Sequence, residues 1–248
     1  EVMVAADVRG IPSHGIGRLW RYVNGLKSGL MLVDAKPEIV ADTPSSLVID
    51  AHGGMGFPVS VQAMKRIVEK AATAGSAFGC VRDSNHFGIA GFYAMLALEH
   101  DMIGIAATNT AALGLPTFGR QVMYGTNPLA FAAPAAKEKA FVLDMSTTVV
   151  TRGKIEVYDR LNKPLPPGWA AGSDGRPTSD AHAMIDNLLR RRGGGIFPLG
   201  GEGTHPLVRQ TGDVVDDARA SVQCGTGDVG LVGVDGDRRL RPARQRLD

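Results

Sequence analysis

The sequence predicts a mixed α/β chain, and three observations carry that reading. Apolar residues recur at helical spacing across 59–74, with Val61, Met64, Ile67, Val68 and Ala71 on one face. Short apolar runs flank that segment at 45–50 (SSLVID) and 77–81 and read as strands. A helical pattern at 90–100 then leads into a buried-type strand at 102–108 (MIGIAAT). No G-x-G-x-x-G occurs within residues 1–203, so the alternation does not carry the dinucleotide fingerprint of the doubly wound fold.

Bulk properties narrow the class. A chain of 248 residues can bury a sizeable core, in one large domain or two small ones. With 44% apolar and 21% charged residues it reads as globular. A formal charge of +2 is near neutral, so composition points to neither nucleic acid nor a membrane surface as partner. Cys80 and Cys224 lie far apart with no ligand spacing, which argues against a disulfide framework or zinc motif and fits a reducing cytoplasm. No apolar run approaches the ~18 residues of a membrane span. The chain opens Glu1-Val2-Met3 in the manner of a helix already under way, so a start farther upstream is expected.

Taken in order, residues 1–8 are helical in pattern, and Gly10 and Pro12 break that helix. Ser13 is a fair N-cap for the next helix, which puts His14 at its start and Arg18 one turn later on the same face. A histidine and an arginine converging there suit an anionic ligand, but spacing alone favours the plainer reading in which His14 caps a turn and Arg18 is solvated. Residues 37–41 are extended and 45–50 form a strand. The turn His52-Gly53-Gly54-Met55-Gly56 lacks the Lys-Ser/Thr of a phosphate loop. The 59–74 helix ends at Gly75, a natural C-terminal stop. The strand at 77–81 feeds a polar loop centred on Asn85-His86, with Gly88 and Gly91 behind it. Glycines around a polar loop let a side chain project into a cleft with little backbone in the way, which singles out His86.

Beyond the 102–108 strand, runs at 129–133 and 141–144 read as strands flanking a charged hairpin tip, Lys137-Glu138-Lys139. Ser146, Thr147 and Thr148 follow a strand end, either as a phosphate or ribose contact or as a solvated cap. Residues 149–161 and 181–192 read as helices, with Asp174-Gly175 the tightest turn between them. Residues 204–248 contain no Lys, Ile, Met, Asn, Phe, Trp or Tyr, and no strand or helix period persists there. Their residue types all have G/C-rich codons, which suggests a shifted reading frame. His14, His52, His86 and Cys80 form no helix-spaced ligand pair, so no metal is expected.

Several motifs in order resemble the malate/L-lactate dehydrogenase family. They are Arg9-Gly10-Ile11-Pro12-Ser13-His14-Gly15 with Arg18 and Tyr22, then Ser84-Asn85-His86-Phe87-Gly88, then Thr108-Asn109-Thr110. PTFG at 116–119, GTNP at 125–128, LDMS at 143–146, Arg152-Gly153-Lys154 and PLPPGW at 164–169 continue the match to about residue 203. The resemblance implies a mostly antiparallel, non-Rossmann nucleotide-binding sheet. It divides the chain into a helical, substrate-binding region at 1–50, a dinucleotide-binding region at 51–203 with an incomplete C-terminal part, and an aberrant tail at 204–248. It implies hydride transfer between NAD or NADP and a small 2-hydroxy or 2-oxo acid, in a homodimer. His86 would accept the proton with His14 as second acid/base group. Ser13, Arg18, Tyr22 and Asn85 would hold the substrate, and Thr110, Asp144, Met145 and Ser146 the dinucleotide. A cyclic imino-acid reductase of the same family and an inactive remnant are the alternatives. After Gly203 the sequence departs from the family, whose cofactor-contacting segment is replaced by Thr204-His205-Pro206.

Overall fold

A computed structural model of the chain describes residues 1–199 and 229–235. Among the described residues the main sheet has seven strands. They are β1 (Glu38–Asp42), β2 (Ser46–Asp50), β3 (Ser76–Arg82), β4 (Met102–Thr108), β5 (Leu129–Ala133), β6 (Phe141–Met145) and β9 (Val229–Asp235). Their order is β1-β2-β3-β9-β4-β5-β6. Only β2 and β3 run parallel; every other neighbouring pair is antiparallel, as the resemblance implies. The parallel pair needs a crossover. Helix α3 (Gly56–Ala74) supplies it.

Helix α3 forms where the 3.6-residue period put it, and Val59, Met64, Ile67 and Val68 are buried on the sheet-facing side. It stops at Gly75, whose φ of +86° is the left-handed conformation that side chains resist. Helix α4 (Ala90–Leu96) ends in a 3-10 turn over Ala97–His100. It packs on β4 and β5, and α3 packs on β3 and β9, with the two helices touching. The approach is close: a Cβ added at Gly104 of β4 would lie 2.1 Å from the Ala94 carbonyl oxygen. The opposite face leaves Phe78, Leu129 and Phe141 exposed. That one-sided burial is the normal state of an antiparallel sheet and explains the alternating pattern along β3.

Helix α1 (Val2–Val8) joins this core through Val2 and Ala6, and is followed by α2 (Leu19–Lys27). A second, smaller core gathers Ile155 of α5 (Arg152–Arg160), Met184 of α6 (Ala181–Arg190), Leu165, Ala170 and Ile196. A two-stranded ribbon of β7 (Ala170–Ala171) and β8 (Gly195–Ile196) belongs to it. Asp180 caps α6 by accepting from Ala183 N–H at 2.9 Å. β1 and β2 lie within residues 1–50, yet they are strands of the main sheet with β3 to β6.

Two sequence expectations differ from what is observed. Ser13 does not cap a helix: Gly15 is extended at φ −83°, ψ −162°, between 3-10 turns at Pro12–His14 and Ile16–Arg18, and α2 starts only at Leu19. Asp7 causes the break by accepting from Ile16 N–H at 2.8 Å and filling the space beside Gly15. Nor is the segment after residue 203 without a strand: β9 lies between β3 and β4 and bonds to both. Its run of valine, leucine and glycine has no apolar–polar alternation, and glycine is a poor strand former, so no strand period stood out. A G-x-G-x-x-G spacing does occur at 225–230, but it runs into β9, where a dinucleotide fingerprint would open a helix. The rest of 204–248, and the frame-shift reading with it, lies outside the described residues.

Candidate active site

A cavity of about 530 Å³ opens where the N-terminal turns, the 84–90 loop, the ends of β4 and β6, and the start of α5 meet. Each of the ten singled-out residues except Tyr22 lines it, and Tyr22 reaches it through a hydrogen bond. The broken helix places the first group. Between the two 3-10 turns, Ser13 Oγ bonds His14 Nδ1 at 3.0 Å, and Arg18 Nε–H donates to the Ser13 carbonyl at 2.8 Å.

The second group comes from the loop after β3. Asn85 donates its amide to the Gly53 and Gly54 carbonyls at 2.8 and 3.1 Å, so it anchors the loop from the side. Phe87 and Ile89 are buried, and Tyr93 stacks on Phe87 at 4.7 Å and donates its hydroxyl to the Phe87 carbonyl. Between these anchors His86 is held against His14, with ring centroids 5.4 Å apart and planes at 12°. His86 Nδ1 bonds the Tyr22 hydroxyl at 2.6 Å and receives Gly88 N–H at 3.3 Å. Among the described residues its Nε2 has no protein partner and is the nitrogen left to face a ligand. Tyr22 itself is 2% exposed and packs on Phe57 at 4.8 Å.

Electrostatics set the protonation states. Burial first, then the charges of His14, Arg21, Arg18 and Arg152, hold His86 well below the usual histidine range. Burial first, then Arg18 and Arg21, bring His14 down to about 4, with Glu156 opposing them. Both rings are therefore neutral near pH 7. Burial pushes the Tyr22 hydroxyl up to about 12, so it stays protonated.

A third group comes from α5. Glu156 accepts from Arg18 at 3.0 Å and from Arg152 at 2.8 Å, bridging two arginines. Gly153 lets the turn approach: a Cβ there would lie 2.1 Å from the Arg18 guanidinium. Arg21 and Glu156 had no place in the expected site, and Arg152 and Gly153 stood only in the motif at 152–154, with no role given. Arg21 sits three residues after Arg18, and Arg152 and Glu156 have the i, i+4 spacing of a helical ion pair, so both signals were present.

The opposite wall is where the dinucleotide residues were expected. Asp144 accepts from Gly91 N–H at 2.8 Å, and its partial burial raises its carboxyl above the usual range. Thr110 Oγ1 accepts from Thr126 N–H at 2.8 Å. The hydroxyls at 146–148 are bonded locally: Ser146 to Thr148 at 2.6 Å, Thr148 to the Val150 carbonyl at 2.8 Å and Thr147 to the Thr126 carbonyl at 3.1 Å. Ser146 still lines the cavity beside Met145. His52 lies apart from the two cavity histidines, pairing with Glu38 and Asp50. Asp50, His52 and Asp83 bring possible ligand atoms within 4.8 Å, but the two Asp50 oxygens already accept from His52 N–H and Arg82.

The model of the malate/L-lactate dehydrogenase family matches residues 1–205. The chain belongs to this family. Among curated family members, malate dehydrogenase of Pyrococcus abyssi is 45% identical over 201 residues, which is 81% of this chain and 54% of that protein. L-sulfolactate dehydrogenase of Methanocaldococcus jannaschii is 41% identical over 203 residues, 81% of this chain and 56% of that protein. A Delta(1)-pyrroline-2-carboxylate/Delta(1)-piperideine-2-carboxylate reductase of Pseudomonas aeruginosa is 34% identical over 194 residues, 78% of this chain and 58% of that protein. The chain thus spans a little over half the length of these relatives. Among solved structures, malate dehydrogenase of Entamoeba histolytica superposes with a TM-score of 0.82 at 30% identity, covering 95% of this chain and 70% of that one. The sulfolactate dehydrogenase of M. jannaschii gives 0.74 at 35% identity, covering 94% and 69%. Among the described residues, no helix is long and apolar enough to cross a membrane.

Proposed function

We propose that this protein is an NAD(P)-dependent oxidoreductase that interconverts a small 2-hydroxy acid and its 2-oxo acid. One observation carries the reading: a buried Tyr22–His86 pair, stacked on His14, lies in the same cavity as Arg18. Oxidising a 2-hydroxy acid needs a base for the hydroxyl proton and a cation for the carboxylate, and these residues supply both. With Nδ1 engaged by Tyr22, proton transfer falls to Nε2. His86 is neutral near pH 7: in the tautomer that accepts Gly88 N–H at Nδ1, Nε2 carries the proton and is the donor, and Nε2 becomes the acceptor in the other tautomer, whose Nδ1–H points at the Tyr22 oxygen and gives up the Gly88 contact. In the reverse direction a bound anion offsets the arginines that hold down the His86 pKa, which favours the protonated donor. Arg18, fixed by Ser13 and Glu156, orients the carboxylate and hence the face presented.

The wall of Ile89, Ala90, Leu113 and Met145, with hydroxyls of Thr110 and Ser146 beside it, suits a nicotinamide ring and its ribose. A nicotinamide bound there would take or give the hydride. Asp144 is the acidic group on that side, and its carboxylate would favour the oxidised, cationic ring. The reading includes a homodimer, with exposed Trp20, Leu30 and Val33 as the apolar surface available; sedimentation velocity on the full chain tests it.

The test is NAD(P)H oxidation by the purified full chain with oxaloacetate, pyruvate and a cyclic imino acid in turn. Turnover of the 2-oxo acids supports the proposal. Turnover of the cyclic imine alone transfers the site to the imino-acid reductase reading, which the Pseudomonas relative favours. No turnover, together with no change in NADH fluorescence at millimolar cofactor, leaves the inactive remnant.

A further inference from the structure

The charges around the histidines do not balance. Arg18, Arg21 and Arg152 all line the same end of the cavity, whereas Glu156 is the carboxylate that meets them. Glu156 spends its two oxygens on Arg18 and Arg152. Arg21 has no ion pair or hydrogen bond among the described residues. It stands on α2 between Arg18, three residues before it, and Tyr22, whose hydroxyl is on His86. It is exposed at the rim, so it can swing toward a ligand without breaking a contact. Its charge bears on His14, His86 and Tyr22 alike, which places it within electrostatic reach of the reacting group. Arg152 in turn acts on Arg21 as a like charge that Glu156, engaged by Arg18 and Arg152, opposes more weakly.

Three cations against one carboxylate leave an excess of two positive charges. A substrate with one carboxylate, held by Arg18, removes one of them. The second calls for a second anionic group on the same small molecule. Asp144 does not supply it, because that carboxylate is on the opposite wall and accepts from Gly91 N–H.

We propose that Arg21 is the specificity-determining cation of this site, binding a second anionic group of the substrate and so selecting dianionic 2-hydroxy acids over monoanionic ones. The inference rests on the dehydrogenase reading above for its chemistry, and on the charge geometry alone for its binding. A guanidinium on a carboxylate or sulfonate makes charge-assisted, often paired hydrogen bonds, stronger than those between neutral groups. Arg21→Met keeps length and removes charge. Arg21→Lys keeps charge and loses the fork.

The experiment measures kcat/KM for L-malate and L-lactate with the native full chain, Arg21→Met and Arg21→Lys. In parallel, calorimetry gives Kd for succinate and for propionate, which do not react. Arg21→Met is expected to lower kcat/KM for malate about tenfold or more beyond any loss for lactate. It should weaken succinate relative to propionate by a similar factor, with Arg21→Lys between. Equal losses for malate and lactate would overturn the role of Arg21 while leaving the dehydrogenase reading standing. If the native chain oxidises neither acid, that reading fails, and the succinate-to-propionate ratio still decides Arg21: an unchanged ratio in Arg21→Met overturns it.

Discussion

His86 shows how a single residue takes its role from what surrounds it. A free histidine is half charged near pH 6.5, but here burial and four positively disposed neighbours keep the ring neutral. The acid limb of kcat/KM for hydroxy-acid oxidation is therefore expected below pH 6.5, and a midpoint above 6.5 in a pH–rate profile would contradict the arrangement. His86→Ala removes the proposed acceptor and should lower kcat by about 10²- to 10⁴-fold, with circular dichroism checking that the fold is kept. His14 makes the same electrostatics visible in stability. Its folded pKa of about 4 lies below the unfolded value of 6.5. Between those values the unfolded chain binds the extra proton, so stability is full above pH 6.5 and is lost as pH falls toward 4. The loss is on the order of 3 kcal/mol for this ring. Urea unfolding at pH 7.5 and 5 should show the decline, and His14→Gln should reduce it. The histidines were legible in the sequence because the glycine-flanked loop and the motif order marked them. The Tyr22–His86 bond was not, since it joins residues 64 apart in the chain.

Elements position these residues through breaks as much as through regular structure. The α3 period was plain in the sequence because one face meets the sheet along its whole length. The helix expected from Ser13 was instead split, since Asp7 reaches across from α1 to take Ile16 N–H. Capping preference is local; a carboxylate from an earlier helix overrides it. The same logic makes α5 a functional element. Its first turn sets Gly153 beneath Arg18, and its second sets Glu156 between two arginines. Gly153→Ala should push the Arg18 guanidinium out of place and raise KM for the hydroxy acid about tenfold, with a smaller effect on kcat. Steady-state kinetics beside unchanged far-ultraviolet dichroism would check this; an unchanged KM would show that Arg18 does not need that contact.

At the scale of the whole molecule, β9 holds the sheet together. β3 and β4 are neighbours only through it, bonding it on either side. A chain ending at Leu199 would leave both strands with an unpaired edge in the middle of the sheet, and such edges recruit other chains. That truncation should abolish cooperative unfolding and produce self-associated species in size-exclusion chromatography. A monomeric, cooperatively folding 1–199 chain would mean the two halves of the sheet stand independently.

Local pattern was enough for most elements, for the place of His86 and His14 in polar turns, and for the family. Those depend on periodicity, glycine and proline punctuation, and motif order, all of which are readable within a few tens of residues. It took the fold to show that β9 closes the sheet between β3 and β4, that Tyr22 engages His86, and that Glu156 ties up two of three arginines and leaves Arg21 unpaired among the described residues. Each of those is a contact between distant segments, and its free energy depends on burial and charge balance that no local pattern encodes.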